Sequence, residues 1–254
     1  MSRTLTVAYS ELTRVLPWSL RALGYPFGTA DRGAHLIAAG AAMDPAVLDD
    51  VAKAARRPAH QFSYSNTEAG WSVDAAGISL LEVGPIAIDA LAARARDNVS
   101  CRVYGATELS LLPATLVAAM DYNLCAIGIV KGNQGPRWYV VEPDAEGLLY
   151  SGHDFESLLS LLAGNWVVAE LNNAGDLPPG TVLLIAGFAR PEWNPTSHMK
   201  IRPRDEITAA YNKGIPISQQ TLDKFYALEM LTWAPTSERS RAQAGFTIAS
   251  TARS

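Results

Sequence analysis

A chain of 254 residues can bury a sizeable core, and 48% hydrophobic against 18% charged residues is globular composition rather than that of a disordered chain. The 21 Lys+Arg against 25 Asp+Glu give a net charge of -4 with no long run of either sign, which argues against nucleic acid as a partner because phosphate backbones need a concentrated basic footprint. Charged residues interrupt every apolar stretch short of the ~20 residues that span a bilayer, the N-terminus is too polar for a signal peptide, and Cys101 and Cys125 are too few for a disulfide framework or a structural zinc site; the expectation is a cytoplasmic protein with no membrane partner.

From Tyr9 to Leu23 the apolar residues Leu12, Val15, Leu16, Leu20 and Leu23 recur at helical steps, with Ser10 as expected N-cap and Gly24 at the stop. Thr29 is the expected cap of a second helix over Ala30–Ala42, and Asp44-Pro45 opens a third that ends before Pro58. Short strands are expected at Phe62–Ser65 and Trp71–Asp74, then a helix from about Val83 to Arg96. Ser100–Val103, a helix over Leu109–Met120 and Ala126–Lys131 read as a βαβ unit, which predicts two adjacent parallel strands. Strands follow at Trp138–Glu142, Trp166–Leu171 and Val182–Phe188, with helices over Phe155–Leu162, Asp205–Tyr211 and Ser218–Leu231. The expected organisation is a helical N-terminal segment over residues 1–58, an α/β core over 59–233 containing a mixed sheet, and an extended tail over 234–254.

Familiar chemical signatures are missing: no G-x-G-x-x-G, no P-loop, no H-E-x-x-H and no G-x-S-x-G occur, and the four histidines never stand four residues apart. No metal is expected. The two cysteines read as small buried hydrophobes, since no flanking His supports a thiolate. Ligands in α/β sheets gather at the carboxyl ends of parallel strands, which directs attention to the loop Tyr104–Ser110 and to Lys131-Gly132-Asn133-Gln134-Gly135. Thr107 is the expected cap of a helix start that could cradle an anion, and Glu108 could act as a general acid/base; a plain capped helix with a dipole-complementing Glu is the competing reading.

The order of residues over Val73–Lys131 resembles the central unit of the type 2 malate/L-lactate dehydrogenases, a group that includes ureidoglycolate and cyclic-imino-acid enzymes. That resemblance implies a non-Rossmann α/β fold, NAD or NADP as cofactor, and a homodimer. It also exposes departures. The family's Ser-Asn-His-Phe-Gly stands here as Ala106-Thr107-Glu108-Leu109-Ser110, and its N-terminal Ser-His-Gly is replaced at the end of the second helix by Ala41-Ala42-Met43-Asp44. Two ends of the chain, Leu23–Ala30 and Thr232–Arg241, resemble a family of uncharacterised bacterial proteins, a likeness that implies no activity.

With the histidines gone, the leading expectation is a cofactor-free enzyme that hydrolyses, hydrates or isomerises a small carboxylated or amide compound. Glu108 would be its acid/base, Lys131 its anion contact, and Thr107 and Asn133 its orienting groups. The second is an NAD(P)-dependent oxidoreductase whose chemistry has moved to Tyr104 or His198, and the third is a non-catalytic binding subunit.

Overall fold

The computed structural model describes residues 3–67, 70–94, 99–132, 135–143, 147–153, 158, 177, 178, 180–187 and 199–233. The chain runs β1 (Thr4–Val7), α1 (Tyr9–Ala22), α2 (Phe27–Met43), α3 (Ala46–Ala52), β2 (Ser63–Thr67), β3 (Gly70–Asp74), α4 (Leu80–Arg94) and β4 (Val99–Tyr104). A 3₁₀ turn, Leu109–Leu111, leads into α5 (Leu112–Val117), and a second, Ala118–Tyr122, leaves it. Then come β5 (Cys125–Gly132), β6 (Gly135–Glu142), β7 (Leu148–Gly152), β8 (Val182–Gly187), β9 (Met199–Ile201), α6 (Pro203–Lys213), β10 (Ile215–Ser218) and α7 (Gln219–Trp233).

Among the described residues, eight strands form one mixed sheet in the order β2-β3-β4-β8-β5-β6-β7-β9, and β1 pairs with β10 in a separate two-stranded ribbon. Among the described strands, only β3 and β4 pair in parallel, joined by α4. That is the βαβ unit of this fold, and it corrects the expected one. β4 and β5 do point the same way, but β8 lies between them and pairs antiparallel with both, Val182 facing Val103 on one side and Val130 on the other. The physical reason is burial: all six residues of β8 are buried, so it belongs at the centre of the sheet, where both its edges and both its faces are covered.

Period-two alternation divides the sheet's side chains between two apolar clusters. Ile127, Ile129, Trp138, Val140, Leu183 and Ile185 fall on one face. Ala126, Val130, Val141, Val182 and Leu184 fall on the other and join the helices in the larger cluster. Gly128 lets α5 approach that second face: a Cβ there would stand 2.7 Å from Leu116 Cδ1 and 2.9 Å from Leu112 Cδ1.

The N-terminal helices form where their apolar periodicity places them, and two helices from the far end of the chain complete their layer. α1 packs on α7, where the Ser19 hydroxyl donates to the Phe225 carbonyl (2.8 Å) and Arg14 bonds Glu229 (2.5 Å). α2 packs on α6 and also reaches α4 and α5. The caps differ from expectation: Ala8 precedes α1 and Pro26 precedes α2, neither with a side-chain cap, so the proline's fixed φ rather than Thr29 sets the start of α2. The helix expected over Leu109–Met120 is a short α segment between two 3₁₀ turns. The expected elements at Phe155–Leu162, except Leu158, and at Trp166–Leu171 lie outside the described residues, as does the tail from Ala234.

Candidate active site

The Tyr104–Ser110 loop, one of the two expected to carry chemistry, is zipped to the loop that follows β3. Ala75 N–H donates to the Tyr104 carbonyl (2.9 Å), Gly77 N–H to Gly105 (2.8 Å), Leu80 N–H to Thr107 (3.0 Å) and Thr107 N–H to Ile78 (3.3 Å). Two parallel strands therefore continue as a backbone zipper instead of splaying into a crevice. Thr107 is not an N-cap; Glu108 holds that position in the left-handed region (φ 48°), and the Thr107 hydroxyl donates to Glu108 Oε2 (2.5 Å). With only a 3₁₀ turn and a six-residue helix beyond, no anion cradle forms here.

Tyr104 and Glu108 are half-buried and Thr107 is exposed. The Glu108 charge helps burial push the Tyr25 phenol up to about 12, with a hydrogen bond to Ser79 opposing the shift. Lys131 ends β5 at the same end of the sheet, two strand spacings (about 10 Å) from Tyr104 across the entry to β8. The expected neighbourhood is thus real but divided. Asn133 and His198 lie outside the described residues. Among the described residues, four cavities are walled without Tyr104, Thr107, Glu108 or Lys131.

The pocket with the richest chemistry lies instead on the helical face of the sheet. It has a volume of about 80 Å³ and is closed by the end of α2 (Gly40, Met43, Asp44), by Val47, by Ser110 and Pro113 before and within α5, and by Arg137, Tyr139, Leu149, Ser151 and Ile201 from three neighbouring strands. Alternation explains why: Arg137 and Tyr139 of β6 and Leu149 and Ser151 of β7 share one face, whereas Trp138 and Tyr150 point into the opposite core. The volume suits a few waters or a small organic acid rather than a long ligand.

Its electrostatics are asymmetric. Arg137 is exposed at the mouth, with its guanidinium carbon 5.9 Å from the Tyr139 ring centre. Tyr139 is buried, and burial chiefly raises its phenol above the ordinary 10.0, with Arg137 pulling it back and the Asp44 charge adding to the rise. Its hydroxyl makes no hydrogen bond with any described residue. Asp44 Oδ1 accepts from the Ala46 N–H (3.0 Å) at the start of α3, and Ser110 donates to Asp50 Oδ2 (2.6 Å). The pocket therefore offers a cation for a carboxylate and a phenol held protonated at neutral pH. No group of three or more His, Cys, Asp or Glu positioned to hold a metal occurs among the described residues. Cys101 is fully buried and its thiol is pushed up to about 12 by that burial, which makes it inert.

Arg137 and Tyr139 were not singled out from sequence, although a cation and a phenol two residues apart on one face of a strand (Arg137-Trp138-Tyr139) were a readable signal. Both stretches set against the dehydrogenase motifs nevertheless reach this pocket, through Asp44 and Ser110.

A second and larger cavity, about 400 Å³, runs along α2 between α5 and α6, with His35, Ala39, Ala118, Tyr122 and Arg204 among its walls. No helix among the described residues is long and apolar enough to cross a membrane.

The architecture is of the malate/lactate dehydrogenase type. Malate dehydrogenase from Entamoeba histolytica superposes with a TM-score of 0.64 at 10% identity, over 92% of this chain and 99% of that one. A putative malate/lactate dehydrogenase from E. coli gives 0.60 at 9% identity over 95% and 99% of the two chains. The delta1-piperideine-2-carboxylate reductase from Pseudomonas syringae pvar. tomato gives 0.55 at 12% over 88% and 99%. No family model and no curated protein matches the chain.

Proposed function

We propose that the chain is an oxidoreductase that interconverts a small 2-oxo or cyclic 2-imino carboxylate with its reduced form, using a nicotinamide cofactor. The observation that carries this reading is the Arg137–Tyr139 pair in a pocket sized for a small acid. Arg137 binds the substrate carboxylate by charge-assisted hydrogen bonds, which fixes the adjacent carbonyl or imine carbon over the buried phenol. Tyr139, protonated throughout the neutral range, donates its proton to the oxygen or nitrogen on which negative charge develops, and the Arg137 charge offsets part of the rise in proton affinity that burial causes. Water at the mouth beside Arg137 then restores the phenol proton. Met43, Val47, Leu149 and Ile201 line the remaining walls and limit bulk water around the reacting carbon.

A bound reduced nicotinamide supplies the hydride that this proton complements. A larger cavity walled by the same helices, α2 and α5, carries Arg204 and His35, which would hold the phosphates of such a group. The cofactor-free alternative is less well supported, since Glu108, its intended acid/base, lines neither cavity.

The test is turnover with NADH or NADPH across a panel of 2-oxo and cyclic imino carboxylates, comparing wild type with Tyr139→Phe and Arg137→Met. Losing the proton donor should lower kcat by roughly 10²–10⁴-fold. Losing the carboxylate anchor should raise KM about tenfold or more, the loss of a hydrogen bond to a charged group. A Tyr139→Phe enzyme with undiminished kcat overturns the reading.

A further inference from the structure

The two sides of the Arg137–Tyr139 pocket present opposite chemistry to whatever lies between them. On the sheet side Arg137 brings a cation and the Tyr139 hydroxyl a proton, and Ser151, directly opposite Tyr139 in the β6–β7 ladder, adds a second hydroxyl. Among the described residues, Arg137 is the one cation that lines the pocket. One cation pairs with one carboxylate, so an acid with two carboxylates would leave its second without a counter-charge.

On the helical side the polar groups are acceptors. Asp44 follows the last residue of α2, and its Oδ1 accepts from the Ala46 N–H (3.0 Å), which holds the carboxylate in place at the opening of α3. Among the described residues its Oδ2 makes no hydrogen bond or ion pair, so that oxygen is free to accept from a ligand. Ser110 donates its one hydroxyl proton to Asp50 Oδ2 (2.6 Å), which leaves only lone pairs on its oxygen for the pocket. The Asp44 charge is felt across the gap: it pushes the Tyr139 phenol up while Arg137 pulls it down. The pocket thus has a positive pole on β6 and a negative pole where α2 gives way to α3.

We propose that Asp44 sets the substrate class of this site: a small acid with a single carboxylate, whose far end is a hydrogen-bond donor, a hydroxyl or an ammonium, and never a second acid group. The carboxylate lies on Arg137 and the donor lies against Asp44 Oδ2 and Ser110 Oγ. The assignment rests on the oxidoreductase reading above, which supplies the pose of the carboxylate. A like charge a few ångströms from Asp44, at an exposed site of intermediate dielectric, weakens binding about tenfold, and a positive charge there strengthens it by a similar factor.

Four 2-hydroxy acids test it without requiring turnover: lactate, glycerate, isoserine and malate end in a methyl, a hydroxyl, an ammonium and a carboxylate. Calorimetric titration of the full chain should rank isoserine and glycerate above lactate, with malate about tenfold or more below lactate. Asp44→Asn separates charge from size, because the two side chains share one shape and asparagine keeps an Oδ1 for the Ala46 N–H; an unchanged Tm verifies the fold. In that variant the affinity for malate relative to lactate should rise about tenfold, and the advantage of isoserine over lactate should fall by a similar factor. Arg137→Met should weaken all four acids. A malate-to-lactate ratio that Asp44→Asn leaves unchanged, or a wild type that binds malate as tightly as glycerate, overturns the role of Asp44 and leaves the oxidoreductase reading intact. If none of the four binds wild type, or Arg137→Met binds them all as wild type does, the carboxylate anchor is wrong and both readings fall.

Discussion

Replacing Gly152 by Ala should damage the pocket from behind. Gly152 stands directly opposite Trp138 in the β6–β7 ladder, and the Trp138 indole, fully buried, lies folded over the glycine. A Cβ at that position would fall within 2.5 Å of the ring carbon Cε2 and 2.9 Å of Nε1. A methyl in a close-packed core can be absorbed when it meets the free end of a flexible side chain; here it meets a rigid bicyclic ring with no space to turn. Overpacking of this kind costs about 1–3 kcal/mol, and for a chain of this size each kcal/mol moves Tm by roughly 2–4 °C. The expected fall is therefore about 2–12 °C by calorimetry, with a red shift in tryptophan emission as the indole leaves the core. Gly28→Ala is the matched control, because nothing lies within 4 Å of its added methyl and its φ is ordinary for an L residue. The consequence for function follows from alternation: Arg137, Tyr139 and Ser151 project from the same two strands on the other face, so a shifted register should weaken carboxylate binding even where the protein stays folded. If Gly152→Ala melts with the control and keeps its emission maximum, the indole does not set the β6–β7 register and the reasoning fails.

Three further outcomes follow from the charges. If Tyr139 is the proton donor, reduction should hold its rate through neutral pH and decline only in alkali, as the pH passes the raised phenol value; Arg137→Met should move that decline to still higher pH, because Arg137 is the group pulling the value down. A downward move in the pH–rate profile would exclude the assignment. Arg57 and Glu82 form a pair joined at 2.7 and 2.8 Å whose side chains are 16% and 8% exposed, so Arg57→Leu should cost about 3 kcal/mol in urea unfolding by stranding the carboxylate, whereas Arg57→Leu with Glu82→Leu should recover much of the loss. A double variant no more stable than the single would contradict this. Glu11, bonded by Arg14 and Tyr226, has its carboxyl lowered from 4.5 to about 2. Its contribution is complete above pH 4.5 and is lost as pH falls towards 2, and after screening of this partly exposed group it amounts to about 1 kcal/mol. Acid unfolding of Glu11→Gln should therefore be flatter over that interval, and a wild-type slope in the variant would count against the network.

The helices were legible because each buries one stripe. Leu12, Val15, Leu16 and Leu20 are all fully or nearly fully buried, as their spacing demands. The central strand was legible too, since Val182–Gly187 is apolar throughout and only a strand covered on both faces tolerates that. Its partners were not. An apolar run does not encode its neighbours, and the insertion of β8 between β4 and β5 depends on pairings across some fifty to eighty residues of sequence. The ribbon of β1 with β10 joins the two ends of the chain and is invisible for the same reason.

That the proposed site lies away from the expected loops has a sharper cause. The rule that ligands sit beyond the carboxyl ends of parallel strands assumes that neighbouring loops diverge, as they do where connections leave to opposite faces. Here the loops after β3 and β4 continue the ladder, with the Gly77 N–H bonded to Gly105 and the Thr107 N–H to Ile78, so they run together instead of diverging. The chemistry proposed here sits where packing leaves a gap. α2 ends at Met43, α5 is only six residues long, and between them a pocket remains against Arg137 and Tyr139 on the face of β6 and β7. A cation and a phenol on the inward face of a strand would be costly against a complete helical layer. The short helix and the early stop of α2 make them tolerable, and the same two features create the pocket in which the pair can act.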